Sequence, residues 1–208
     1  MIEVEESAGA YMARGPRLQL AFRYLQDRWQ HFISLRMNGD WFRLLVSEEG
    51  APDSAIIPSP ALQDLRLERL ADDIVEFQLL GQAHKDLYSA AVRFDARAGE
   101  IDFDLSARGR APEYPLCTRT TYLVTDYGAT VAVAGAQTGA VVVRSGSGFG
   151  VTVAPVAIPS QPPAECQIVG ESFHGQFGAG IFNAELLNTS SQATTLRWRY
   201  RITPLEHA

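Results

Sequence analysis

The sequence predicts an all-β protein: a mainly antiparallel β-sandwich or supersandwich of about a dozen strands, with little helix. Three observations carry this reading. Apolar and polar residues alternate with period two along much of the chain, because strand side chains point to opposite faces in turn. Gly, Ser, Asn and Asp interrupt that alternation at the short spacing expected of sandwiches and barrels. Two hairpins have loop lengths that agree with the pattern on both sides.

Residues 17–37 carry two periods at once. Leu18, Phe22, Leu25, Trp29 and Phe32 fit helical spacing, and Pro16 suits a first helical position. Leu18, Leu20, Phe22 and Tyr24 fit a strand. The hairpin that follows needs residues 32–37 extended, which favours two strands joined near Gln26-Asp27. That hairpin turns at Asn38-Gly39, a pair that tolerates positive φ at both positions. Its register sets Met37 against Asp40, Leu35 against Phe42 and Ile33 against Leu44. Arg36 then faces Trp41, and Ser34 faces Arg43, on the other side.

Residues 48–60 hold three prolines and read as a connection. Strands over 65–70 and 74–80 meet at Asp72-Asp73. The strongest pattern runs from 91 to 105. A four-residue loop at Ala96-Arg97-Ala98-Gly99 sets Asp95 against Glu100, Phe94 against Ile101 and Arg93 against Asp102. Pro112 to Pro115 offers a division into two lobes near 111–115, although one domain over 1–208 fits the equal β content of both halves. Strands follow over 116–125, 130–134, 140–144, 149–156, 167–171, 181–187 and 194–202. Residues 159–163 form a second Pro-rich connection.

Composition excludes whole classes of function. The 208 residues are 46% hydrophobic and 20% charged, with net charge -6, so the chain is globular and lacks the basic footprint of a nucleic-acid binder. No apolar run reaches the length of a membrane span. The acidic N-terminal stretch has no apolar signal region, so the expected location is cytoplasmic. There Cys117 and Cys166 are expected as buried thiols rather than a disulfide. Leu205-Glu206-His207 resembles the start of an expression tag and is set aside. Asn188-Thr189-Ser190 matches a glycosylation acceptor, which has no meaning without secretion.

No motif fixes a chemistry. Gly146-Ser147-Gly148-Phe149-Gly150 lacks phosphate-loop spacing and a following helix, so it reads as a hairpin turn. Gly175, Gly178 and Gly180 read as a bulge or loop. His84, in the polar stretch from Gly81 to Asp86, is a candidate proton carrier, with Glu171 and His174 as possible companions. The plainer reading of His84 is an exposed loop. Metal spacing such as H-x-H is missing, and neither a metal nor a cofactor is expected. Cys117 shares a strand face with Arg119 but is expected to be inert. Arg197, Arg199 and Arg201 share one face of the last strand. They suit an anion, or else form a ladder with Asp102 and Asp104. Trp29 and Trp198 read as core. Trp41, between Arg36 and Arg43 on the charged face, reads as a binding surface or a cation–π pair.

Three functions fit. The leading one is a non-enzymatic protein that binds an unknown protein partner or assembles with itself. The second is a module that binds a carbohydrate or an anionic small molecule through Trp41, Arg36, Arg43, Arg197, Arg199 and Arg201. The third is an enzyme on a sugar or phosphorylated metabolite, using His84 and His174 with Glu171.

Overall fold

Every element of the computed structural model is a β-strand: among the described residues there are seventeen strands and no helix. The structure describes residues 1–49, 59–109, 117, 119–126, 129–134, 139–159, 165–167, 172–173, 176–183 and 195–205. In chain order the strands are β1 (Glu3–Ser7), β2 (Ala10–Arg14), β3 (Leu18–Leu25), β4 (Arg28–Met37), β5 (Asp40–Ser47), β6 (Asp64–Ala71), β7 (Ile74–Ala83), β8 (Asp86–Asp95) and β9 (Glu100–Arg108). Then come β10 (Arg119–Val124), β11 (Thr130–Ala134), β12 (Ala140–Arg144), β13 (Gly150–Pro155), β14 (Glu165–Gln167), β15 (Ser172–Phe173), β16 (Gln176–Asn183) and β17 (Thr195–Pro204).

They form a sandwich of two antiparallel sheets. One sheet has nine strands in the order β1-β2-β3-β4-β5-β10-β16-β14, with β15 also on β16. The other has eight, in the order β11-β12-β13-β17-β9-β8-β7-β6. The dozen expected strands become seventeen partly because β1 and β2 arise from a stretch read only for its charge. There Val4, Tyr11 and Ala13 supply the apolar face, but the strands are too short for a visible period.

Residues 17–37 are two strands, as the hairpin requires. They turn at Gln26, whose φ is +59°. The 91–105 hairpin has the expected register, with Arg93 on Asp102, Phe94 on Ile101 and Asp95 on Glu100. Asp95 answers its like-charged neighbour by turning its Oδ1 to the amides of Arg97 and Ala98, at 3.0 and 2.9 Å. The Asn38-Gly39 turn has φ of +51° and +99°, as a type I′ turn demands.

One register expectation fails. Ile33 pairs with Leu45, not Leu44, because a bulge lies between the Ile33 and Ser34 pairings. The extra residue buries Leu44 and Leu45 together.

The inner faces of both sheets meet in one buried cluster. Phe22 of β3 meets Phe77 of β7 at 4.8 Å between ring centres, and Tyr200 stacks on Phe103 at 4.6 Å. Each such ring contributes about 1.5–3 kcal/mol by leaving water. Trp29 and Trp198 are core, as expected. Trp29 donates its indole N–H to the Gln63 carbonyl at 3.0 Å. Cys117 is buried in the same cluster. Residues 111–115, the suggested division, lie outside the described residues. Strands from both halves interleave: β10 lies beside β5, and β17 beside β9.

Candidate functional site

The sandwich opens at the end where β4 and β5 turn. Leu35 and Met37 come from β4, and Phe42, Arg43 and Leu44 from β5. Facing them, Thr125 and Asp126 follow β10, and Ser145, Gly146 and Ser147 make the turn from β12 to β13. These residues line a cavity of about 580 Å³ drawn from both sheets. A largely apolar cleft of this size with a few polar groups is a usual small-molecule site.

Local hydrogen bonds hold the rim. Gly146 donates its amide to Asp126 Oδ2 at 3.2 Å, tying the turn of one sheet to the loop of the other. Thr125 donates its amide to the Leu44 carbonyl at 3.0 Å and its hydroxyl to the Arg43 carbonyl at 2.7 Å. The Ser145 and Ser147 hydroxyls meet at 2.7 Å, and Gly148 turns the chain at φ +88°. The glycine-rich stretch is thus a hairpin turn, and it forms one lip of the mouth. Phe42 lies opposite buried Leu35, on the inward face, yet is 49% exposed. At the end of the hairpin the facing sheet no longer covers it.

The residues marked out by sequence are dispersed. Trp41 is half-buried on the outer face, with the Arg36 guanidinium 5.9 Å from its ring centre. Arg43 lies over Phe32 instead, at 4.3 Å. Arg197, Arg199 and Arg201 face acids of β9. Arg197 grips Asp104 with two nitrogens, Nε at 2.6 Å, and Arg199 reaches the same carboxylate at 3.4 Å. Arg201 holds Asp102 at 2.7 and 2.9 Å and Glu100 at 2.7 Å. These hydrogen bonds raise the Arg197 and Arg201 pKa values. His84 is exposed in a two-residue turn between β7 and β8, with φ +53°. Glu171 and His174 lie outside the described residues, as do the side chain of Cys166 and Gly175.

A second polar group was not legible at all. His31 of β4 lies between the sheets, its Nε2 2.6 Å from the Tyr122 hydroxyl, which is 2.7 Å from the Tyr200 hydroxyl. Burial pushes His31 down to about 3, so it is neutral at ordinary pH. Its amide donates to Ser47 Oγ at 2.9 Å, and that hydroxyl donates to Glu49 Oε1. Burial pushes Glu49 up to about 8, against the opposing pull of the Ser47 hydroxyl and the Arg28 charge. A single His in an apolar strand carries no spacing signal, and Glu49 sits in a stretch that reads as a connection.

Among the described residues no group of three or more His, Cys, Asp or Glu side chains could hold a metal ion. Among them, too, no helix is long and apolar enough to cross a membrane. These features define a two-sheet β-sandwich with an open inter-sheet mouth. No protein-family model matches the chain, and no curated protein resembles it at a significant level.

Proposed function

We propose that this protein binds a small apolar or amphipathic molecule in the mouth between its sheets. The observation that carries the reading is Phe42. It has an inward register, yet is 49% exposed, and it lines a cavity of about 580 Å³ together with Leu35, Met37 and Leu44. A large apolar side chain left open beside other apolar walls gains by covering itself with a ligand. The serine and Asp126 groups of the rim give the ligand's polar end hydrogen-bonding partners. The test is titration with anilinonaphthalene sulfonate, a fluorescent apolar probe, and competition by medium-chain alcohols. Saturable binding is expected, weakened at least about tenfold in Phe42→Glu with an unchanged melting temperature. No saturable binding, or equal binding in Phe42→Glu, overturns the proposal.

Self-assembly is the second reading, and a trough on the outer face of the eight-stranded sheet favours it. Its volume is about 1010 Å³. Small residues Ser89, Ala91 and Ser106 form its floor, and Leu80, 59% exposed, stands on its wall. Asp64 and Arg66 line one side, Asp104 and Arg197 the other. A second copy turned by a two-fold axis would cover Leu80. Light scattering of wild type and Ala91→Arg tests it: a concentration-dependent mass that the variant loses supports the dimer, and a monomer throughout removes it.

A further inference from the structure

At the other end of β4 from the mouth, a smaller cavity of about 390 Å³ lies beside the β3–β4 turn and the end of β5. Leu25 and Leu123 make its apolar wall, and Gln26, Arg28, Gln30, Glu48 and Glu49 its polar one. Glu49 is only 9% exposed. Its Oε1 takes the Ser47 hydroxyl, and Oε2 has no hydrogen-bond partner among the described residues. Among those residues no Lys, Arg or His nitrogen lies within 4.0 Å of the carboxyl.

Arg28 is close, and three of its five N–H groups are engaged. Its Nε and Nη2 grip Asp27 at 2.7 and 3.1 Å, and Nη1 donates to the Glu49 main-chain carbonyl at 3.0 Å. Asp27, whose pKa the Arg28 hydrogen bond lowers, therefore balances the Arg28 charge. Gln30 donates its amide nitrogen to the Ser47 carbonyl at 2.8 Å, which leaves its amide oxygen as an acceptor. The acceptors on this wall are the Glu49 carboxyl, the Glu48 carboxylate and that amide oxygen, beside the Gln26 amide. The one positive charge on it, Arg28, is already balanced by Asp27.

We propose that this cavity binds a small primary ammonium ion on a short carbon chain. The three N–H donors of an ammonium match the acceptor wall, and the chain lies against Leu25 and Leu123. An anion there would face Glu48 and Glu49, with the Arg28 charge already held by Asp27. Calcium needs six to eight oxygen ligands, more than this wall offers. Empty, Glu49 holds its proton at neutral pH, because burial raises it to about 8. The ammonium makes ionisation favourable, and the carboxyl proton passes to the buffer. The other charged groups facing Glu49 are Glu48 beside it and the Asp27–Arg28 pair from the turn. His31, on the far side of Ser47, is neutral.

The experiment is calorimetry on the full chain at pH 7 with butylammonium chloride, in two buffers of different ionisation enthalpy. Saturable binding with release of close to one proton is expected. Glu49→Gln should weaken it at least about tenfold and abolish the proton release. Leu123→Trp, which fills the cavity and keeps Glu49, should also block binding, and Phe42→Glu should leave it intact. The idea is overturned by no binding, by binding without proton release, by unchanged affinity in both cavity variants, or by equal binding of butyrate or calcium.

Discussion

The Tyr122 hydroxyl, in the nine-stranded sheet, lies 2.7 Å from the Tyr200 hydroxyl, in the eight-stranded sheet. This hydrogen bond joins the two sheets inside the core. Tyr122 is the middle member, because it also meets His31 at 2.6 Å. Tyr122→Phe leaves two buried groups without this partner, and Tyr200→Phe leaves one. Each such hydrogen bond contributes about 0.5–1.5 kcal/mol. Urea unfolding should therefore show Tyr122→Phe as the more destabilised variant. Equal losses would mean that the relay does not act through Tyr122.

Stability should pass through a plateau in pH. His31 falls from 6.5 unfolded to about 3 folded, so the unfolded chain holds the extra proton between those values. Its contribution is present above 6.5 and is lost as pH falls. Glu49 rises from 4.5 to about 8, so its contribution is present below 4.5 and is lost as pH rises. Between 4.5 and 6.5 the two slopes oppose, each about 1.4 kcal/mol per pH unit at most. Above 6.5 Glu49 acts alone. Glu49→Gln should remove the loss between pH 6.5 and 8, and an unchanged alkaline limb would assign it elsewhere.

Gly81 lies in β7 where the chain entering β6 passes over it. A Cβ there would stand 1.8 Å from the Ala61 carbonyl oxygen and 2.7 Å from Leu62 Cα. Both are backbone atoms that cannot swing aside. Gly81→Ala should cost at least about 1–3 kcal/mol, as overpacked sites do. A melting temperature equal to that of wild type would show that this crossing is loose.

The Arg197–Asp104 pair predicts a small effect despite its bidentate geometry. The Arg197 side chain is 51% exposed, so solvent and salt screen the pair. Asp104→Asn should cost no more than about 1 kcal/mol, less in high salt. A larger, salt-independent loss would make the ladder part of the core.

Trp41 separates the mouth from the outer face as binding surfaces. It does not line the mouth, and Arg36 covers its ring at 5.9 Å. Trp41→Ala should leave the apolar probe's affinity unchanged. A loss of neutral-sugar binding in the same variant would establish a separate sugar site.

The sequence by itself determined most of the strands and the pairing of the local hairpins. Period two, the Asn38-Gly39 turn and the 96–99 loop are local properties, set by φ preference and alternation. The Arg197–Arg201 stripe was visible for the same reason, with its acidic partners named. Tertiary structure alone decided the rest. The bulge that buries Leu44 beside Leu45 depends on what the facing sheet covers, and so does the exposure of Phe42. His31, Tyr122 and Tyr200 are 91 and 78 residues apart along the chain, and only stacking the sheets brings their polar atoms together. Glu49 becomes a buried acid because the fold excludes water from it, and no spacing in a single chain records how neighbours will close around a side chain.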